Sequence, residues 1–196
     1  MDITFGSSVR CVESAVGDVS GLTIHRVGKH LTGMVVRRSF LIRREIQVGL
    51  ELVERSHKGV IHLKCLKEEL DRMRRFHRQG IPGIPLREYN SAMADAFDGF
   101  SGEAYSTVFA SDWDQSEATE LLLDANTRVR ATNGNAGKLL GLCLAPDGLT
   151  TSHLIIQLGR AWGEVELRVP RTIVAEWGSA AIYLTCDTAG LKSLLP

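Results

Sequence analysis

Apolar residues fall along this chain in short runs broken by glycine, proline and aspartate. "GLTIHRV" (21–27) and "LLGLCLAP" (139–146) are brief and rich in β-branched or aliphatic residues. Each is followed by a turn signal, "VGK" or "PDG", and then by a second run, "TGMVVRR" or "SHLIIQL". That sequence of run, turn and run predicts a hairpin. "EIQVGLELVER" and "EVELRVPRTIVAEW" alternate apolar and polar positions, as half-buried strands do. "GVIHLKC" and "AAIYLTC" complete two parallel sets of strands. Each set ends in a helical pattern. "KEELDRMRRFHRQG" predicts a helix stopping at Gly80, and "DTAGLKSLL" a shorter one capped by Asp187.

The two sets are copies of one another. Residues 15–38 laid over 135–158, an offset of 120, match Gly17 with Gly137, Gly21 with Gly141 and Gly28 with Gly148. After one inserted residue the offset is 121, and Val48, Val53, Ile61, Leu63, Cys65 and Leu70 meet Val169, Val174, Ile182, Leu184, Cys186 and Leu191. Shared glycines and shared apolar phase over this length indicate an internal repeat of one small domain. The expected organisation is a first domain over 1–78 with a C-terminal helix, an insert over 79–120, and a second domain over 121–196. Short strands with frequent turns suggest small closed barrels, which protect their edges.

Charge separates the insert from its flanks. Residues 1–78 carry 15 Lys/Arg against 9 Asp/Glu, or +6; residues 79–126 carry one against 9, or −8; residues 127–196 carry 7 against 5, or +2. The insert opens "GIPGIPLREYN", whose Gly/Pro density predicts an irregular path. Its Phe100, Tyr105, Phe109 and Trp113 are expected to pack on a barrel or on another subunit. No run reaches the ~18 apolar residues of a membrane span, and "MDITFGSSVR" is no secretory signal, so a cytoplasmic protein is expected.

The second copy resembles the PRC-barrel, the β-barrel of the photosynthetic reaction-centre H subunit's cytoplasmic domain and of the C-terminal half of a bacterial ribosome maturation factor. The resemblance rests on "GKLLG", the "PDG" hairpin, "SHLIIQ", "VELRVP" and the ending "IYLTCDTAGLKSLLP". The first copy is similar but has drifted: Gly49 stands for Pro170, Asp18 for Lys138, and "HRVGK" for "APDG". The resemblance implies an all-β fold, two PRC-barrel-like barrels in tandem with an irregular insert. It also implies a non-catalytic interaction or scaffolding role with a protein partner, a homodimer among the options. It brings no catalytic residues and no cofactor.

Candidate chemistry is sparse. "TNGNAGKLLG" suggests a phosphate loop, but that motif needs four residues between its glycines and a hydroxyl after the lysine. Here two residues intervene, Leu139 follows Lys138, and the first copy has Asp18 in the lysine's place, so a hairpin with a solvent-facing Lys138 is expected. The four cysteines form no C-x-x-C pair and are expected to be buried small hydrophobes. Histidines 25, 30, 57, 62, 77 and 153 lack metal-ligand spacing, and no metal site is expected. No nucleophile elbow occurs, and "DWD" at 112–114 is expected to be an acidic loop. The strongest charge feature is arginine: Arg37, Arg38, Arg43 and Arg44, with Arg72, Arg74, Arg75 and Arg78. Arg37, Arg38, Arg43, Arg44, Arg74 and Arg75 are the candidate partner-binding residues. They are read either as a solvated surface paired with the insert or as a site for an acidic protein or RNA. Three roles stay open: protein scaffold, RNA- or ribosome-associated factor acting through the first repeat, and an enzyme with a site at the barrel junction.

Overall fold

In the computed structural model the alternating stretches become strands whose apolar positions face one interior. Residues 1–12, 14–38, 44–73, 75–76, 120–159 and 165–195 are described below. The first half contributes β1 (Asp2–Thr4), β2 (Ser8–Arg10), β3 (Ala15–His25), β4 (Leu31–Arg38), β5 (Arg44–Gly49), β6 (Val53–His57), β7 (Val60–Leu63) and helix α1 (Lys67–Arg72). The second contributes β8 (Glu120–Leu123), β9 (Arg128–Ala131), β10 (Gly134–Leu144), β11 (Thr151–Leu158), β12 (Glu166–Pro170), β13 (Val174–Trp177), β14 (Ala181–Leu184) and helix α2 (Thr188–Lys192). The protein is mainly β, in two seven-stranded sheets.

One sheet runs β5-β4-β3-β2-β7-β6 and the other β12-β11-β10-β9-β14-β13, the same order with the same parallel pair, β2 with β7 and β9 with β14. The seventh strand of each sheet comes from the other repeat. β1 pairs with β10, and β8 pairs with β3. The exchange is reciprocal to the residue: Ile3 lies opposite Leu142 and Leu123 opposite Leu22, each pair shifted by 120. His30 bridges Thr150, its own equivalent, and Leu31 N donates to Leu149 O at 3.1 Å. A position that meets its own equivalent marks a two-fold relation between the halves.

The repeated glycines permit this crossing. A Cβ on Gly141 would lie 2.2 Å from Ile3 O, and one on Gly21 2.7 Å from Leu122 Cδ1 and 3.2 Å from Leu123 O, so the long strand must be bare where the visiting strand passes. Gly17 and Gly137 serve the hairpin itself, their missing Cβ atoms standing 2.2 Å from Arg37 O and 2.0 Å from Gln157 O. A polar clasp fastens each visiting strand across the sheet. Gln47 Nε2 donates to Glu120 Oε2 at 3.1 Å in one half, and Arg168 donates to Asp2 Oδ2 at 2.7 Å in the other. Ile3 and Leu123 are fully buried, and the buried apolar residues of both halves form one continuous cluster. Each such side chain stabilises the fold by about 1.5–3 kcal/mol relative to exposure.

Three sequence expectations change. The stretches 45–55 and 164–177, each read as one strand, break into two, separated by single 3-10 turns at Leu50–Leu52 and Arg171–Ile173. At the first corner Leu50 stays buried and Glu51 points out, whereas no residue of the second corner is buried. The first helix ends at Arg72 rather than Gly80, with Met73 already extended (φ −66°, ψ 152°). Sheet pairing wins over helix propensity there, for Phe76 N donates to Glu45 O at 2.8 Å and Arg75 bridges Ile46. The second helix starts as expected, with Asp187 accepting from Gly190 N at 2.7 Å. The insert of 79–120 lies outside the described residues up to Thr119, and Glu120 opens β8. Among the described residues no helix is long and apolar enough to cross a membrane.

Candidate functional site

The first-repeat arginines are held by the sheet that carries them. Arg37, at the end of β4, lies in register between Asp18 of β3 and Glu45 of β5. Opposite charges in facing positions are mutually favourable. Arg38 lies opposite Arg44, and Asp71 of α1 joins the two: Arg38 makes an ion pair with its carboxylate, and Arg44 Nη2 donates to its carbonyl at 3.0 Å. Arg75 is exposed beside Ile46 of β5. Arg43 and Arg74 lie outside the described residues, as do Arg78 and the acidic "DWD". Arg38 and Arg44 are thus drawn together by Asp71 of α1, while Arg37, on the alternate side of β4, has acidic neighbours from β3 and β5.

A different set of cations lies on the second repeat. The burial pattern of β9 is strictly alternating, with Arg128 and Arg130 outward and Val129 and Ala131 inward. Register places Arg128 directly opposite Lys138 of β10, and Arg130 between Asn135 of β10 and Tyr183 of β14. Arg128, Arg130, Lys138 and Asn135 are exposed, and Tyr183 is 44% exposed. Gln157 of β11 continues the row beyond Lys138. Among the described residues the side chains of these three cations make no hydrogen bond or ion pair. The long arginine blocks draw attention away from this face. Its signal was the Arg-Val-Arg alternation in "TRVRA", visible only once 128–131 is read as a strand. Lys138 does face solvent, as expected.

The remaining polar groups serve structure. A groove of about 380 Å³ follows β1 where it crosses between the halves, with Asp2, Thr4, Ser7, Ser56, His57 and Glu166 along it. Ser56 donates to Asp2 O, Thr4 and Ser7 share a hydrogen bond of 2.7 Å, and Asp2 holds Arg168, so these groups secure the exchanged strand. His25 and His30 stack at 5.1 Å, with His25 Nδ1 accepting from Gly28 N at 3.0 Å to close the β3–β4 turn. Cys11 and Cys65 are buried with their sulfurs 3.9 Å apart, and burial, with Cys65 close by, pushes the Cys11 thiol up to about 12. Burial, with Asp2 alongside, pushes the Cys143 thiol up to about 11. Thiols so raised stay protonated and unreactive at neutral pH. Among the described residues no three His, Cys, Asp or Glu side chains are grouped to hold a metal. Compared with known proteins, the chain matches no family model and no curated protein.

Proposed function

We propose that the chain is a non-catalytic interaction and scaffolding module built from two PRC-barrel-like domains and acting in the cytoplasm. The observation that carries this reading is the reciprocal exchange of β1 and β8, which joins the two repeats through one core. The end strands of each sheet path, β5 with β6 and β12 with β13, are consecutive in the chain and joined by a single 3-10 turn. A covalent corner of that kind curls a sheet round on itself, as a small barrel requires. Two repeats tied at both ends form a stiff body that presents fixed surfaces to a partner, and stiffness lowers the entropy lost on docking. The hydroxyls of Thr4, Ser7 and Ser56 fasten β1, and the thiols of Cys11, Cys65 and Cys143 are packed in the interior, which fits a binding role better than a reaction.

The alternative, an RNA- or ribosome-associated factor acting through the first repeat's arginines, has fewer free cations to draw on, since Arg38 and Arg44 engage Asp71 and Arg37 faces Asp18 and Glu45. Affinity capture with the tagged full chain from its native host tests the scaffold reading. A protein recovered in near-stoichiometric amount, and lost with surface variants that keep the fold, supports it. Turnover of a small molecule by the purified chain would overturn it. Light scattering addresses a second copy as partner, a homodimer appearing at twice the 21.5 kDa of one chain.

A further inference from the structure

We infer that the outer face of the second repeat's sheet, where Arg130 lies beside Tyr183 and Arg128 and Lys138 extend the cations across β9 and β10, is a binding site for single-stranded RNA. The inference goes beyond the scaffold reading and stands on separate observations. Arg128 and Lys138 face each other directly across β9 and β10, with Arg130 two residues along the same face. Like charges in facing positions destabilise a sheet. The first repeat shows the relaxed alternative at the equivalent positions, Ser8 opposite Asp18. Both rows sum to +1 when Arg55 and Glu176 are included, but the first interleaves Arg37 with Asp18 and Glu45, whereas the second gathers Arg128, Arg130 and Lys138 on adjacent strands with its carboxylates at the two ends. An anion lying along the strands would offset the repulsion that the second repeat retains.

The neighbours of those cations favour a nucleic acid over an acidic peptide. Tyr183 presents its ring in register with Arg130, and its equivalent in the first repeat is His62. Exposed rings beside cations on a sheet stack unpaired bases, whatever their identity. Asn135 and Gln157 flank the cations with amide groups that have no hydrogen bond among the described residues, and amides can reach base edges and the 2′-hydroxyl. Glu166 faces Gln157 at one end of the row and Glu176 faces Tyr183 at the other. Those carboxylates confine a polyanion to the central strands, β10, β9 and β14. A duplex, whose bases are stacked inward, has no use for the ring.

The test is fluorescence anisotropy with the full chain and a labelled oligouridylate of about 12 nucleotides, a length within the usual site sizes of single-strand binders. Binding is expected to weaken as salt rises from about 50 to 200 mM. The double variant Arg128→Ser and Lys138→Asp, which installs the first repeat's residues, is expected to weaken binding more than about tenfold and to flatten the salt dependence by about two phosphate contacts. Tyr183→Ala is expected to cost about tenfold with the salt dependence unchanged, since stacking releases no counterions. Arg37→Ser in the first repeat should leave affinity unaltered, and circular dichroism melts should show all variants folded. No binding by the wild-type chain at about 100 µM, within the weak nonspecific range, overturns the assignment. So does equal binding by the variants, or binding of oligoglutamate or of single-stranded DNA as tight as that of RNA.

Discussion

The two repeats keep the same strand order, the same exchanged strand, the same crossing glycines and many of the same core residues, yet they differ at particular positions within each half. Asp18 answers Lys138, Cys11 answers Ala131, and Val27 answers Asp147. Positions that one half presents to the other, such as Ile3 with Leu142 and Leu123 with Leu22, keep their size and burial. The shared frame is maintained by buried positions, both within each half and between the halves. Outward faces are free of that constraint and can specialise: the first interleaves Arg37 with Asp18 and Glu45, and the second sets Arg128, Arg130 and Lys138 side by side.

The comparison breaks most visibly if the visiting strands are not equivalent. Ile3→Ala and Leu123→Ala each remove a fully buried side chain from an exchanged strand. Each is expected to cost about 2–5 kcal/mol in urea denaturation, and the two costs should agree closely. A large loss at one site only would mean that one strand is ornamental. A Cβ at the crossing is the next lever. Gly141→Ala drives a methyl against the backbone carbonyl of Ile3, which cannot turn aside, and should cost about 1–3 kcal/mol. Gly21→Ala meets first the flexible end of Leu122, so its cost should be smaller. Thermal melts of the two variants side by side check the order.

Those glycines were readable in the sequence as repeats, and their purpose was not. The hairpins β3–β4 and β10–β11 stood out because their strands pair locally, with apolar runs on both sides of a turn. β1 and β2, by contrast, have three residues each, and the partner of β1 lies in the other half, so neither period nor turn signal announces them. Ile3 and Leu123 are equivalent positions, but between them and the matched pairs Val9/Val129 and Arg10/Arg130 no residue is shared to extend the repeat that far. The candidate site was misdirected for a related reason. Arginine clusters are conspicuous along the chain, but whether a cation is neutralised depends on cross-strand neighbours, and Asp71 reaches Arg38 only through the packing of α1. The isolated Arg128, Arg130 and Lys138 converge only when β9 and β10 are in register.

The thiols sharpen the comparison through pH. Cys11 in the first repeat is raised to about 12 from an ordinary 9.0, and Cys143 in the second to about 11. A thiol in the unfolded chain releases its proton from about pH 9, while the folded protein holds it. Stability therefore falls as pH climbs from about 9 toward 11 and 12, because the folded state binds more protons there. Cys11→Ala, which installs the second repeat's Ala131, should flatten that decline, and Cys143→Thr, which installs Thr23, should flatten its earlier part. Denaturation midpoints across this range decide it. In the native state iodoacetamide should label the half-exposed Cys186 first, with Cys11, Cys65 and Cys143 reacting only on unfolding.

The smallest effects lie in the turns, where the halves solve one problem with different residues. The β3–β4 turn places Lys29 in the left-handed region at φ 52°, and the β10–β11 turn uses Gly148 at φ 71°. A side chain in that region costs roughly 1–2 kcal/mol, so Gly148→Lys should lower stability by about 1 kcal/mol. Lys29→Gly gains less than that, since glycine also has more freedom to lose on folding. Asp147 adds a second device: its carboxylate accepts from Leu149 N at 2.9 Å and Thr150 N at 2.8 Å. The Thr150 hydroxyl, with those amides, holds it below its ordinary 3.8. A carboxyl lowered in the folded state contributes above its ordinary value and loses that contribution as pH falls through the lowered one. Asp147→Val, the first repeat's choice at Val27, should therefore melt slightly below the wild type at neutral pH and converge with it in acid. A gap that persists in acid would place the difference in turn packing rather than in the carboxylate.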